Sequence, residues 1–263
     1  MCRVIMLQNF SEVDSQRHLA WFAALSETGK VPLGVSPGHQ DGWGIGGFKG
    51  SELVLLKKES RSALENTQYD QAAVLASRQC DLIVGHLRKS SVGNVSWENT
   101  HPFAYRDFLF CHNGMISDSQ KLQLDPAFAA AVKGTTDSER FFLYLMQQIY
   151  QAPDREIPAA FVREKIISVI DFIRNNFTYT GLNSILSNGD TTWAVREVNE
   201  NNPIVQEKKM LDYYSLYLGI GAAGTAAVSS EIFEDQRIVW EPLKNHELAE
   251  IDGATGAVAR HSF

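Results

Sequence analysis

The order of periodic segments predicts an α+β fold in which antiparallel sheets pack together with helices outside them. Three observations carry this expectation. Strand candidates occupy both ends of the chain, two substantial helices fall in the middle, and hairpin signals lie on either side of those helices. Alternating βαβ units would mix the two kinds of element instead.

Val4 to Leu7 is a short aliphatic run that reads as a strand, and Ser11 then caps a helical segment carrying Leu19, Phe22, Ala23 and Leu25. Trp43 to Phe48 and Leu53 to Leu56, joined through Lys49-Gly50-Ser51, read as a hairpin. Tyr69 to Cys80 has helical periodicity, and Leu82 to Leu87 follows as a buried strand. The polar stretch from Lys89 to Thr100 is a loop long enough to need a reason. Phe108 to His112 is another strand. Ser138 to Tyr150 puts Phe141, Phe142, Leu145, Met146 and Ile149 on one helical face; Ala159 to Phe177 does the same with Phe161, Ile166, Ile167, Ile170 and Ile173. Leu182 to Leu186 and Thr191 to Val198 flank Asn188-Gly189-Asp190, where Asn-Gly between apolar runs is a strong hairpin signal. Tyr214 to Leu218, Ala226 to Ser229, Ile238 to Trp240 and Ala257 to Arg260 complete the strand candidates, and Asn199 to Asn202 before Pro203 reads as a polar turn.

At 263 residues, 44% hydrophobic and 21% charged, the chain has an ordinary globular composition, and a single domain over 1–263 is expected. The formal net charge of -7 and the lack of Lys/Arg clusters exclude nonspecific nucleic-acid binding. Cys2, Cys80 and Cys111 form neither a disulfide framework nor a zinc knuckle, which fits a reducing, cytoplasmic setting. The segment from Met1 to Phe10 lacks the features of a secretory signal, and no stretch approaches 18 apolar residues, so neither export nor membrane insertion is expected.

Cys2 taken alone reads as an incidental small hydrophobe. Removal of Met1, however, would place a thiol and a free α-amine on one residue, a nucleophile with its own base. Four polar segments lie where strands should end: Gly85 to Arg88, Asn99 to Phe103, Cys111 to Gly114 and Thr135 to Glu139. If an α-amino acid's side-chain amide were the substrate, Arg88 could fork onto the α-carboxylate and Asp137 could meet the α-ammonium. Asn113, through its side-chain N–H, and Gly114, through its backbone N–H, could hold the developing oxyanion. Asp137 could equally be the N-cap of a helix starting at Ser138, and Arg88 alone could be an ordinary ion-pair arginine. His86, His101 and His112 with Cys111 match no compact zinc spacing, and strand neighbours such as Cys111 and His112 point to opposite faces, so structural roles and no metal are expected. The Gly-rich stretch from 42 to 47 lacks the Lys-Ser/Thr of a phosphate loop.

Five motifs in order (Cys2; His86 to Gly93; Asn99 to Pro102; His112 to Gly114; Thr136 to Glu139) resemble the glutaminase domain of class II glutamine amidotransferases, of the N-terminal nucleophile hydrolase superfamily. Asp41 to Gly44, Leu182-Asn183 and Val228 to Glu231 resemble its compact single-domain branch, which includes γ-glutamyl hydrolases of thiol metabolism. The resemblance implies a four-layer αββα sandwich and no cofactor. It implies Cys2 as nucleophile with its own amine as base, Asn113 and Gly114 as oxyanion hole, and Arg88 and Asp137 on the substrate. Ser91 stands where the family usually has Thr and is implied at the carboxylate end. Two departures concern the pocket's gating: Lys89 follows Arg88 where large synthases often have Trp, and Arg3 follows Cys2 where they have Gly. The implied ligand is glutamine or a γ-glutamyl small molecule. The implied outcomes are ammonia delivery to a synthase subunit, stand-alone hydrolysis of a γ-glutamyl amide or peptide, or silent glutamyl binding. A homo-oligomer is compatible with the sequence.

Overall fold

The computed structural model describes residues 2–150 and 157–263. Its helices are α1 (Glu12–Thr28), α2 (Thr67–Gln79), α3 (Pro126–Ala129), α4 (Asp137–Ile149), α5 (Ala159–Asn176) and α6 (Pro203–Glu207). Its strands are β1 (Arg3–Gln8), β2 (Trp43–Lys49), β3 (Glu52–Glu59), β4 (Leu82–Leu87), β5 (Phe103–Tyr105), β6 (Phe108–Ile116), β7 (Tyr179–Ser187), β8 (Thr191–Arg196), β9 (Tyr217–Ile220), β10 (Ala226–Ser229), β11 (Val239–Pro242), β12 (Glu247–Asp252) and β13 (Val258–Ser262).

These strands form two antiparallel sheets, a 7-stranded one in the order β11-β9-β10-β1-β4-β2-β3 and a 6-stranded one in the order β13-β12-β8-β7-β6-β5. The alternation of side chains along each strand sorts the core into three layers. Ile5, Leu7, Trp43, Ile45 and Ile83 face α1 and α2 and pack on Leu19, Phe22, Tyr69 and Ala76. Val4, Met6, Val84, Leu109, Cys111 and Ile185 fill the space between the sheets. Phe108, Phe110 and Leu186 face the other way, onto Phe141, Met146, Ile166 and Ile170 of α4 and α5. The result is the expected αββα sandwich.

Local chemistry explains most boundaries. Ser11 caps α1 by accepting from the Asp14 amide, as expected, and Asn66 accepts from the Gln68 and Tyr69 amides to start α2. Gly50, with φ 56, and Gly189, with φ 87, supply the left-handed conformations of the two hairpin turns. Several expectations are corrected. The cap of α4 is Thr136, whose side chain accepts from the Glu139 amide, so Asp137 is the first helical residue and not the cap. In α5 the buried face is Val162, Ile166, Val169, Ile170 and Ile173, with Phe161 and Ile167 only partly covered. The strand expected at Tyr214 to Leu218 lies at Tyr217–Ile220, because Tyr213 and Tyr214 belong to the turn segment before it and bury in a separate cluster with Val198, Val205 and Met210. Glu247–Asp252, a mixed polar and apolar run followed by an Asp252-Gly253 turn, forms a strand that the sequence reading passed over. His112, Asn113 and Gly114 sit inside β6 rather than at its end.

Candidate active site

Cys2 immediately precedes β1, and that strand pairs on one side with β10 and on the other with β4. The Cys2 residue is therefore delivered to the mouth between the sheets, beside the segment that leaves β4 as Arg88 and Lys89. Its thiol lies 3.9 Å from the Lys89 carbonyl oxygen. Its backbone nitrogen donates to Asn113 Oδ1 at 2.9 Å across the gap between sheets. Asn113 shares with Cys111 the inward side of β6, and its Oδ1 is turned to Cys2. Its Nδ2 is buried with no hydrogen-bond partner among the described residues. An orphaned buried N–H costs about 1–3 kcal/mol and needs an explanation.

Gly114 follows, pressed against β7 so closely that a Cβ there would overlap the Gly181 carbonyl oxygen. Only glycine lets β6 and β7 approach at this point. Farther along β6, beyond the irregularity between Gly114 and Ile116, the Ile116 amide donates to Asp137 Oδ2 at 2.7 Å. Asp137 is thus tied to the same strand as Asn113, three positions on, about 10 Å at the usual rise per residue. It is 4% exposed and stands at the start of α4, whose helix dipole favours a carboxylate there.

Arg88 is 3% exposed. Its backbone is bracketed by the Asp41-Gly42 turn, with Asp41 N donating to Arg88 O at 3.0 Å and Arg88 N donating to Gly42 O at 2.7 Å. Its guanidinium is spent on the loop that follows: Nη1 donates to Asn94 O at 3.0 Å, and Nη2 donates to Val92 O at 3.0 Å and Ser90 Oγ at 3.2 Å. Burial lowers the guanidinium below its ordinary range, offset in part by the negative charge Cys2 and Asp41 can carry. Asp41 Oδ2 also accepts from the Ser90 amide at 2.8 Å, so Asp41 and Arg88 hold the two ends of one loop. Ser91 is exposed on that loop, and Ser90, not Ser91, touches Arg88.

The structure therefore brings Cys2 and Asn113 into contact, seats Gly114 next to them, sets Arg88 beside Cys2 at the end of β4, and ties Asp137 to β6 three positions beyond Asn113. Met1 lies outside the described residues. The three histidines divide. His112 faces α4, with Nδ1 2.8 Å from Ser138 Oγ and Nε2 3.2 Å from Gly181 O. His86 and His101 stack between the sheets with ring centroids 4.1 Å apart. No group of three or more metal-ligating side chains occurs among the described residues.

Sequence reasoning missed Tyr213 and the part played by Arg3. The Tyr213 hydroxyl donates to the Cys2 carbonyl oxygen at 3.1 Å and approaches Asn113 Oδ1 at 3.4 Å. Tyr213 lies 211 positions from Cys2 in sequence, outside every motif, and no spacing rule connects the two. Burial holds its phenol above the ordinary range, so it stays protonated. Arg3 carried one signal, a cation inside an apolar run, and its side chain is indeed fully buried against Tyr213 and Glu231.

Residues 11–208 match the family described as glutamine amidotransferases class-II, and the chain belongs to that family. The matched span includes Arg88, Ser91, Asn113, Gly114 and Asp137 and leaves Cys2, Arg3 and Tyr213 outside it. Among curated relatives, uncharacterized protein MJ1515 of Methanocaldococcus jannaschii is 27% identical over 166 residues, which cover 62% of this chain and 44% of that one. The chain spans between 30% and 68% of the length of the curated relatives it matches. A glutamine aminotransferase class-II domain protein from Silicibacter pomeroyi superposes with a TM-score of 0.61 at 18% identity, covering 100% of this chain and 99% of its own. The glutamine phosphoribosylpyrophosphate amidotransferase of Bacillus subtilis superposes with a TM-score of 0.64 at 13% identity, covering 99% of this chain but 49% of its own. At these identities the superpositions establish the fold.

Proposed function

We propose that the chain hydrolyses the side-chain amide of glutamine or of a γ-glutamyl compound, with Cys2 as nucleophile after removal of Met1. One observation carries the reading: Asn113 uses its Oδ1 on the Cys2 nitrogen at 2.9 Å and keeps a buried Nδ2 without a partner. That is the disposition required of an oxyanion donor beside an N-terminal nucleophile. An α-amine in the position of the Cys2 nitrogen would donate one hydrogen to Asn113 and keep its lone pair for the thiol proton.

In this scheme the sulfur attacks the amide carbon, forming a C–S bond, and the carbonyl electron pair moves to an oxygen held by the Asn113 side-chain N–H and the Gly114 N–H. Collapse breaks the C–N bond, and the protonated amine returns its proton to the departing nitrogen, which leaves as ammonia or an amine. Water, deprotonated by the same amine, attacks the γ-glutamyl thioester; the C–S bond breaks and the thiol is restored. The substrate's α-carboxylate takes the Arg88 guanidinium from the loop carbonyls, a charge-assisted contact replacing neutral ones. Asp137 receives the α-ammonium, and Ser91, on the loop displaced by that exchange, closes over the carboxylate end.

The partial match to the Bacillus subtilis enzyme, 49% of its length, favours a second reading of the product's fate, in which ammonia passes to a synthase partner. Both readings are tested by assaying ammonia release from glutamine and from γ-glutamyl peptides, together with intact-mass detection of a Cys2 thioester. No adduct on Cys2 and no turnover of either substrate class, by protein that lacks Met1, would refute the reading.

A further inference from the structure

We propose that Tyr213 is a positioning residue, braced by Arg3, that locks the nucleophile and the oxyanion donor to one another. The inference rests on the reading of Cys2 and Asn113 given above. The Tyr213 hydroxyl has one proton and two acceptors in reach, the Cys2 carbonyl oxygen at 3.1 Å and Asn113 Oδ1 at 3.4 Å. Cys2 in turn donates its backbone N–H to that same Oδ1 at 2.9 Å. Three groups from three distant parts of the chain thereby close a small ring of polar contacts. With Oδ1 claimed from both sides, the Asn113 amide is turned so that Nδ2 points away from the ring, toward the place where the oxyanion develops.

The phenol needs a brace because its residue lies in the irregular segment between α6 and β9, where no ladder of backbone hydrogen bonds fixes it. Arg3 supplies the brace. Its guanidinium carbon lies 4.2 Å from the Tyr213 ring centroid, and its Nη2 donates to the Tyr213 carbonyl oxygen at 3.2 Å. Nη1 reaches Glu231 Oε1 at 3.3 Å, and that carboxylate oxygen also accepts from the Lys30 amide at 2.8 Å. A fully buried cation in the first residue of β1 is costly to desolvate, and a shorter, apolar residue would satisfy the strand alone. The contacts it makes converge on Tyr213 and on the carboxylate beside it. A guanidinium stacked on a ring and bonded to that residue's backbone constrains both tilt and depth, which a lysine's point charge does not.

The experiment is a comparison of Tyr213→Phe, Arg3→Lys, Asn113→Ala and the double variant Tyr213→Phe/Asn113→Ala with the parent, all lacking Met1. Steady-state glutamine hydrolysis and urea unfolding are both measured. Tyr213→Phe lowers kcat by about 10- to 100-fold, a part of what losing an oxyanion donor outright costs, and leaves KM within about twofold. Arg3→Lys lowers kcat several-fold with KM likewise held, and keeps the test open if the phenol variant fails to fold. In the double variant kcat is no lower than about threefold below Asn113→Ala alone, because the hydroxyl acts on the donor already removed. An unchanged kcat in Tyr213→Phe, a loss carried wholly by KM, or kcat losses that multiply in the double variant would overturn the proposal. Should the parent hydrolyse no amide, the unfolding cycle decides. Non-additive unfolding then shows the linkage standing while the proposed activity falls; additive unfolding overturns the linkage itself.

Discussion

Acidification should drain stability from this fold through the His86–His101 pair. Both residues lie between the sheets, His86 fully buried and His101 3% exposed, and no ring nitrogen of either has a hydrogen-bond partner among the described residues. Burial drives both imidazoles well below their ordinary 6.5, reinforced at His86 by the charge of Arg88 and at His101 by its stacked neighbour. The backbone of His112 lies close enough to His86 to offset part of this, without making a bond of normal geometry. The folded pair therefore stays neutral while the unfolded chain takes up a proton on each ring as the pH falls through 6.5. Stability present above that value is lost below it. With the unfolded rings titrating normally, each withdraws at most about 1.4 kcal/mol at pH 5.5 and under about 0.1 kcal/mol at pH 7.5, so the pair withdraws up to about 2.7 kcal/mol across that window. That is a sizeable share of the roughly 5–15 kcal/mol that holds a typical domain together. Urea unfolding of the parent and of His86→Leu/His101→Leu at both pH values measures it. The parent should lose up to about 2.7 kcal/mol more than the double variant, since His112 and His18, also lowered by burial, remain in both. Depressed carboxylates such as Asp14, at about 2, titrate far below this window. An equal loss in the two proteins would mean that the pair accepts protons in place, and the account of it as a sealed neutral stack would be wrong.

Four further outcomes are expected. Cys2→Ala should abolish ammonia release from glutamine while the urea midpoint stays near the parent's, because a small apolar residue fits the same buried position; retained turnover would exclude the thiol as nucleophile. Asn113→Ala should lower kcat by about 10²- to 10³-fold, measured with saturating glutamine. Gly114→Ala should fail to fold stably, seen as loss of soluble protein or a collapsed thermal transition, because the added methyl overlaps the Gly181 backbone. Burial pushes the Lys58 ammonium down to about 8 while the unfolded side chain titrates at 10.5, so between these values the unfolded chain holds the extra proton and stability rises with pH. The parent should gain up to about 2 kcal/mol relative to Lys58→Met between pH 8 and 9.5, read by urea unfolding.

The layered fold was legible because the central strands, buried on both faces, read as short continuous apolar runs, and each long helix shows its buried face through spacing. The chain from Phe141 to Ile149 is an example: five apolar positions named from periodicity are all buried. Legibility failed where burial and local pattern part company. Glu247–Asp252 mixes three acidic residues with Leu, Ala and Ile in no strict alternation, yet becomes a strand because β8 and β13 flank it on both sides. Within the site, motif chemistry singled out Asn113 and Gly114, and the contact of Asn113 with Cys2 is the closest tie the site contains between sheets. The same chemistry could not show that the guanidinium of Arg88 already has neutral acceptors, nor that Tyr213 closes on Cys2. Those facts arise from loop closure and long-range approach, which leave no periodic trace in a sequence.

The segment from Ser90 to Asn94 is tethered by Arg88, the cation to which the proposed function assigns a substrate's carboxylate. Uncharged carbonyls hold that cation only weakly compared with a full carboxylate, and a molecule with an amide but no acid group offers nothing better. Under the proposed chemistry the tether works as a gatekeeper for charge: simple amides leave the latch shut, and a zwitterion opens it by exchanging partners. Discrimination would then begin before any bond to sulfur is made.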